Sequence, residues 1–253
     1  MITALKRFGQ NFLVDKNILA LMITRSGVRE GDCVLEIGAG HGVLTRALLA
    51  ANVSCLHAVE LDERLRPELE ELAGENDRLR LHWADAVKFD YASLSPFPEK
   101  VIANIPYNIT TPLIWELLKF PRMNYHLYML QKESAERITA KPDTKSRYPL
   151  GVTIEAMGRA SIVHNVPREC FRPIPKVNSA IVEIEITRNF ELARSELWSE
   201  LLHRGFSHRR KTLMNNLRGF VDGEILGERA KMRAEDLTCD DWLNIYYAIL
   251  RSR

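Results

Sequence analysis

Residues 33–42 read CVLEIGAGHG: an apolar run interrupted only by Glu36, stopping at Gly38 and passing into a helical pattern, GVLTRALLAA (42–51). A strand that breaks into glycine and re-enters as a helix is the opening of a βα unit, and the chain reads outward from it. SCLHAVELD (54–62) is a second strand ending in acids, and ERLRPELEELAGE (63–75) is a charged helix. RLRLHWAD (78–85), EKVIANIPY (99–107) and YHLYMLQKE (125–133) follow as strands, with a helix over TPLIWELLKF (111–120) between the last two. Strands alternating with helices predict a parallel sheet covered on both faces, which also explains why the strands are apolar without alternation.

The pattern changes after Pro142. ASIVHNVPRECF (160–171) and NSAIVEIEIT (178–187) are joined by a connection too short for a helical crossover, which predicts an antiparallel hairpin at the sheet edge. From about Phe190 the periodic segments are helical: 191–206, 208–220 and 239–253. The expected organisation is an α/β domain over 1–187 and a small helical domain over 188–253.

Length and composition allow this. The chain has 253 residues, 46% hydrophobic and 27% charged, enough for a sizeable core. Arg46 and His57 interrupt the most apolar segments, so no membrane span is expected, and the amino terminus lacks a signal-peptide pattern. A cytoplasmic protein is the expectation. Cys33, Cys55, Cys170 and Cys239 form no C-x-x-C pair, and no metal is expected from their spacing. The net charge is +2, but HRGFSHRRKTLMNNLR (203–218) is basic without an acid. Taken alone, such a run is a solvated helix face; beside nucleic-acid chemistry it becomes a phosphate-binding candidate.

The chemistry gathers at strand ends. Gly38, Gly40 and Gly42 allow close backbone approach, and Glu60, about 20 residues past the glycines, can accept from two ribose hydroxyls. Val43 stands where the dinucleotide fingerprint needs glycine, so a pyrophosphate cradle is disfavoured. S-adenosylmethionine, which has no phosphate, fits better. Asp85 and Ala86 end the third strand on the same edge. NIPY (104–107) ends the fourth, followed by Asn108 and Ile109 and a helix with Thr110 or Thr111 as its cap. An exocyclic adenine amine is a poor nucleophile until both its hydrogens are held. The Asn104 oxygen and a backbone carbonyl just beyond it could hold them, Pro106 supplies a carbonyl at fixed φ with no competing N–H, and Tyr107 offers a face on which an extruded base can stack.

Taken together, KRFGQNFL (6–13), VLEIGAGHGVLT (34–45), VELD (59–62), NIPYNI (104–109), MLQKE (129–133), FRPIPKVNSA (171–180) and FSHRRKTLMNNL (206–217) resemble the rRNA adenine N6-dimethyltransferases, within them the bacterial small-subunit KsgA type. The resemblance implies a Rossmann-like methyltransferase sheet and places cofactor contacts at Gln10, Asn11, Leu13, Gly38, Gly40, Glu60, Asp85, Ala86 and Asn104. It also implies that Asn104, Ile105, Pro106 and Tyr107 receive the target adenine, with Phe171 closing on its other face. Arg209, Arg210 and Lys211 would contact phosphate. The implied substrate is 16S rRNA in the immature small subunit, where two adjacent adenosines near the 3′ end are dimethylated by a monomeric enzyme. The erythromycin-resistance type, which acts on large-subunit rRNA, shares NIPYNI, and a non-catalytic assembly checkpoint is a further alternative. A nicotinamide dehydrogenase is disfavoured by Val43. KSRYPLGV (145–152) departs from the family pattern, as does Ser134.

Overall fold

The computed structural model describes residues 11–252. In chain order the first elements are β1 (Phe12–Leu13), α1 (Lys16–Ser26), β2 (Cys33–Ile37), α2 (Val43–Ala50), β3 (Cys55–Glu60), α3 (Arg66–Glu75), β4 (Leu79–Trp83), β5 (Lys100–Asn104), α4 (Thr110–Leu117) and β6 (Tyr125–Gln131). They continue with α5 (Lys132–Ile138), α6 (Pro149–Met157), β7 (Gly158–Val166), β8 (Phe171–Arg172), β9 (Ser179–Ile186), α7 (Glu196–Gly205), α8 (Leu213–Asn216), α9 (Gly223–Leu226) and α10 (Cys239–Ser252). The strands form a seven-stranded sheet of order β4-β3-β2-β5-β6-β9-β7 and a separate ladder of β1 with β8. β4, β3, β2, β5 and β6 run parallel, whereas β9 is antiparallel to β6 with Tyr125 opposite Glu185.

The chain builds outward from β2 to β3 and β4, then returns to add β5 on the other side of β2. Such a reversal opens a crevice at the carboxyl ends of the two central strands, where open α/β sheets bind ligands. Val34, Leu35, Leu56, Ala58, Val101, Ile102 and Ala103 are fully buried, as expected of strands covered on both faces. Behind them α1 is held at both ends. Asp15 accepts from the Asn17 and Ile18 amides at 2.8 and 3.2 Å, and Gly27 ends the helix at φ +53°.

The described residues group into two compact units, 11–135 with Ser161–Glu185, and Glu136–Ala160 with 186–252. Inside the second, Trp198 is fully buried and donates from Nε1 to Thr153 Oγ1 at 2.9 Å. Trp242 is stacked against Phe206 with ring centroids 5.5 Å apart. The divergent stretch 145–152 contains the start of α6. Here the buried Arg147 pairs with Glu155 at 2.8 Å and donates to the Ala140 carbonyl at 2.8 Å. Gly151 passes so close to the Arg137 carbonyl that a Cβ would lie 2.6 Å from it. Among helices, the basic run differs from expectation. Residues 206–212 form turns, and the helix expected over 208–220 is confined to α8, because the Lys211 amide closes back on the His208 carbonyl at 2.9 Å before the helix begins.

Candidate functional site

The crevice at the strand ends is lined by the tips of β2, β3 and β5 together with the β1 segment. Three glycines make its floor possible. Gly38, Gly40 and Gly42 have φ of +75°, +56° and +72°, which L side chains adopt only with strain. A Cβ on Gly40 would also press on the Phe12 ring at 3.2 Å.

Glu60 is tied into the floor by backbone amides. Its Oε2 accepts from Gly40 at 2.9 Å, and its Oε1 accepts from Leu61 and Asp62 at 2.9 and 2.8 Å. Charge-assisted bonds of this kind fix the carboxylate, while four lone-pair sites leave it able to accept more. Asp85 is anchored through Oδ1 by the Val87 amide at 3.0 Å. Among the described residues lining the crevice there is no lysine or arginine, and both carboxylates face the same space. That acceptor set suits a nucleoside carrying hydroxyls and amines and is a poor match for a pyrophosphate.

Asn104, Ile105, Pro106 and Tyr107 form the wall opposite. The Asn104 Nδ2 donates to the Asn11 carbonyl at 3.2 Å, an orientation that leaves Oδ1 as the acceptor end of the amide. The Pro106 carbonyl is engaged by the Ile109 amide at 3.2 Å. Its ring instead closes the gap to the glycine floor, where a Cβ on Gly38 would lie 3.6 Å from Pro106 Cδ. Tyr107 is half-buried, and its hydroxyl lies 2.7 Å from Ser179 Oγ at the start of β9. Burial raises the phenol's pKa above the usual tyrosine value, opposed by that hydrogen bond. Neither Thr110 nor Thr111 caps α4. Instead, the buried Thr110 hydroxyl donates to the Tyr107 carbonyl at 3.4 Å and steadies the same turn.

Phe171, Leu13 and Arg209 have surroundings that the sequence did not show. Phe171 is fully buried and does not line the crevice. The β1–β8 ladder pairs Leu13 with Phe171 and Phe12 with Arg172. Strand alternation therefore sends Leu13 and Phe171 into the core together, leaving Phe12 to face the crevice. Leu13 accordingly borders an adjoining hollow rather than the crevice itself. Gln10 lies outside the described residues. Arg209, expected at phosphate, pairs with Glu235 at 2.6 Å and with the Lys145 carbonyl while remaining exposed, as Arg210 and Lys211 are. Phe12 and Ser179 were not assigned roles from the sequence, although both lie in the quoted motifs QNFL and PKVNSA.

A doubly wound sheet with a glycine floor, a fixed ribose-type carboxylate and an Asn-Ile-Pro-Tyr turn at one strand edge defines a Rossmann-like methyltransferase site. Comparison with known proteins narrows the class. Residues 1–250 match the family described as ribosomal RNA adenine dimethylase, and the chain belongs to that family. It is 40% identical to the ribosomal RNA small subunit methyltransferase A of Rubrobacter xylanophilus over 251 residues, covering 96% of this chain and 94% of that protein. The protein of the same name from Chromobacterium violaceum is 40% identical over 248 residues, covering 95% and 93%. Among solved structures, a dimethyladenosine transferase from Plasmodium falciparum superposes with a TM-score of 0.83 at 27% identity, covering 95% of this chain and 98% of that one. The 23S rRNA methyltransferase ErmE shares the fold, with a TM-score of 0.71 at 22% identity over 94% and 98% of the two chains.

Proposed function

We propose that this chain transfers methyl groups from S-adenosylmethionine to the N6 amines of two adjacent adenosines near the 3′ end of 16S rRNA, acting as a cytoplasmic monomer on the immature small subunit. The observation that carries this reading is the shared crevice: Glu60 and Asp85 on one side, Asn104 to Tyr107 on the other. When bound, the cofactor supplies a methyl group on a sulfonium, so the nitrogen needs position more than a strong base. Glu60, whose Oε2 accepts only from Gly40 among the described residues, would accept from a ribose hydroxyl, Asp85 would accept from the adenine amine of the cofactor, and Asn11, Gly38, Gly40 and Ala86 would form the surrounding walls. Phe12 covers the glycine floor.

The target amine donates one hydrogen to Asn104 Oδ1 and the other to the Ile105 carbonyl. Both bonds would draw the lone pair out of conjugation with the ring, leaving it available to the methyl group that the cofactor would supply. Tyr107 carries the base on its face. Its phenol remains protonated at neutral pH, since burial raises its pKa, and so it acts by stacking rather than as a base. Once methylated, the nitrogen would be cationic and would give its proton up to solvent. After the first transfer one N–H remains, and either acceptor can still hold it, which makes a second methylation feasible at the same site.

The Ser179 hydroxyl fixes the tilt of the Tyr107 ring. Ser179→Ala should reduce the methylation rate about 5-fold, the value of one neutral hydrogen bond, without changing cofactor affinity. Tyr107→Phe should cost a similar factor, and the double variant no more than either, when single-turnover rates are compared. Additive losses would show that the two hydroxyls act separately.

In the second unit, Arg210 and Lys211 are proposed to contact phosphate, and Arg209 to hold the loop that presents them. Replacing Arg210 and Lys211 with alanine should lower the log–log salt slope of rRNA binding by about 1.4 to 1.8. Arg209→Ala should instead destabilise the fold, since Glu235 loses its partner. An unchanged slope in the double variant returns these side chains to a solvated surface.

The central test supplies labelled cofactor to immature small subunits and, separately, to large-subunit rRNA. Dimethyladenosine mapped to adjacent positions of 16S rRNA is expected. Labelling confined to large-subunit rRNA would replace this reading with the resistance-type activity, and no labelling at all would replace it with an assembly checkpoint.

A further inference from the structure

The amino ends of the central strands, at the opposite edge of the sheet from the crevice, carry a side-chain cluster that methyl transfer does not use. Cys33 opens β2 and Cys55 opens β3, and the two are direct register partners. His57 lies two residues past Cys55, so strand alternation turns both side chains to the same face. The two sulfurs and a ring nitrogen of His57 lie within 4.8 Å of one another. Cys55 Sγ is 3.5 Å from His57 Nε2. Both His57 Nε2 and Cys33 Sγ also converge on the Pro96 carbonyl, at 2.9 and 3.3 Å. Two sulfurs, one nitrogen and one oxygen from three chain segments therefore surround one point.

We propose that Cys33, Cys55 and His57 form a binding site for a thiophilic divalent cation of the zinc type, with the Pro96 carbonyl or a solvent oxygen in the fourth position. Metal–sulfur and metal–nitrogen bonds of about 2.3 and 2.0 Å at tetrahedral angles separate the ligand atoms by about 3.5 to 3.8 Å. The widest separation in the cluster needs to close by only about 1 Å to reach this, and the Cys55–His57 pair is already at the required distance.

The surroundings supply what a ligating histidine needs. His57 Nδ1 lies 2.9 Å from His82 Nε2. With a cation on Nε2, Nδ1 carries the proton and donates it to His82, which fixes the tautomer and ring orientation. Without a cation, the hydrogen bonding runs the other way, with Nε2–H donating to the Pro96 carbonyl and His82 donating to Nδ1. Binding gives up the bond to Pro96, reverses the bond to His82 and releases two thiol protons to solvent. Cys33 is partly exposed, which provides an entry path. Cysteine spacing could not reveal the site, because strand register alone brings positions 33 and 55 together.

The test uses the full chain, stripped by a chelator and kept reduced, then titrated with Co2+ followed by Zn2+. One equivalent of Co2+ should bind with a thiolate charge-transfer band and tetrahedral d–d bands, and one equivalent of Zn2+ should displace it. Cys33→Ser and Cys55→Ser should each weaken the charge-transfer band, and the pair should abolish it. His82→Phe should lower affinity about 10- to 100-fold. Cys170→Ser and Cys239→Ser should leave the titration unchanged. Circular dichroism of each metal-free variant confirms that it folds. Absence of the charge-transfer band in the parent chain, or its persistence in the Cys33→Ser/Cys55→Ser variant, would overturn the proposal.

Discussion

Replacing Asn104 with alanine is expected to slow methyl transfer about 100- to 1,000-fold while weakening cofactor binding far less. The magnitude is that of removing one preorganised hydrogen-bonding group from the atom where charge develops. Asn104 suits this role because its amide is already committed at one end. Nδ2 donates to the Asn11 carbonyl, so Oδ1 does not have to be oriented when the base arrives. Asn104→Asp supplies the control. It keeps the acceptor but loses the donor to Asn11 and puts a third carboxylate in a crevice that already holds Glu60 and Asp85. Its rate should fall between those of the parent and the alanine variant. Single-turnover methylation and calorimetric cofactor binding measure the two quantities separately. If both fell by the same factor, Asn104 would be a cofactor ligand rather than the residue that prepares the amine.

The sequence and the structure agree where function depends on strand ends. A strand's apolar run and the residue that stops it are adjacent in the chain, so Gly38, Glu60, Asp85 and Asn104 could each be placed on the carboxyl edge from their own segments. Phe171 could not be placed this way. Its direction is set by a two-residue ladder with β1, formed by a segment more than a hundred positions away, and the residue next to it on either strand would have pointed the opposite way. The pairing of Arg209 was hidden for a related reason: its partner Glu235 belongs to a later segment that reads simply as acidic. Helix α1 had a local signal, Asp15 before KNILALM with Gly27 behind, but its mixed polarity hid the pattern from periodicity alone. Short-range rules thus recovered the carboxyl edge of the sheet, while the facing of single side chains depended on pairings that no local window contains.

The same burial that makes β2 legible creates a cost at Glu36. Its side chain sits in the middle of the strand, 1% exposed, and neither carboxylate oxygen finds a hydrogen-bond partner. Burial pushes its pKa up to about 8; the Thr45 hydroxyl opposes the rise without completing a hydrogen bond, and the nearby Glu60 carboxylate adds to it. An unfolded glutamate titrates near 4.3. Below that value both states are protonated and the group is neutral toward folding. Between about pH 4.3 and 8 the unfolded chain releases a proton that the folded chain retains, so stability falls as pH rises, and above about 8 the loss is complete. Glu36→Gln removes the ionisation and keeps the shape. It should raise stability by about 3 to 4 kcal/mol at pH 7, leave it nearly unchanged at pH 4, and flatten the slope between the two. Urea unfolding of the cofactor-free chain at a series of pH values measures all three. A variant less stable than the parent at pH 7 would mean that Glu36 is ionised and held by a partner in the folded state. A gain that did not vary with pH would assign the effect to packing rather than to the proton.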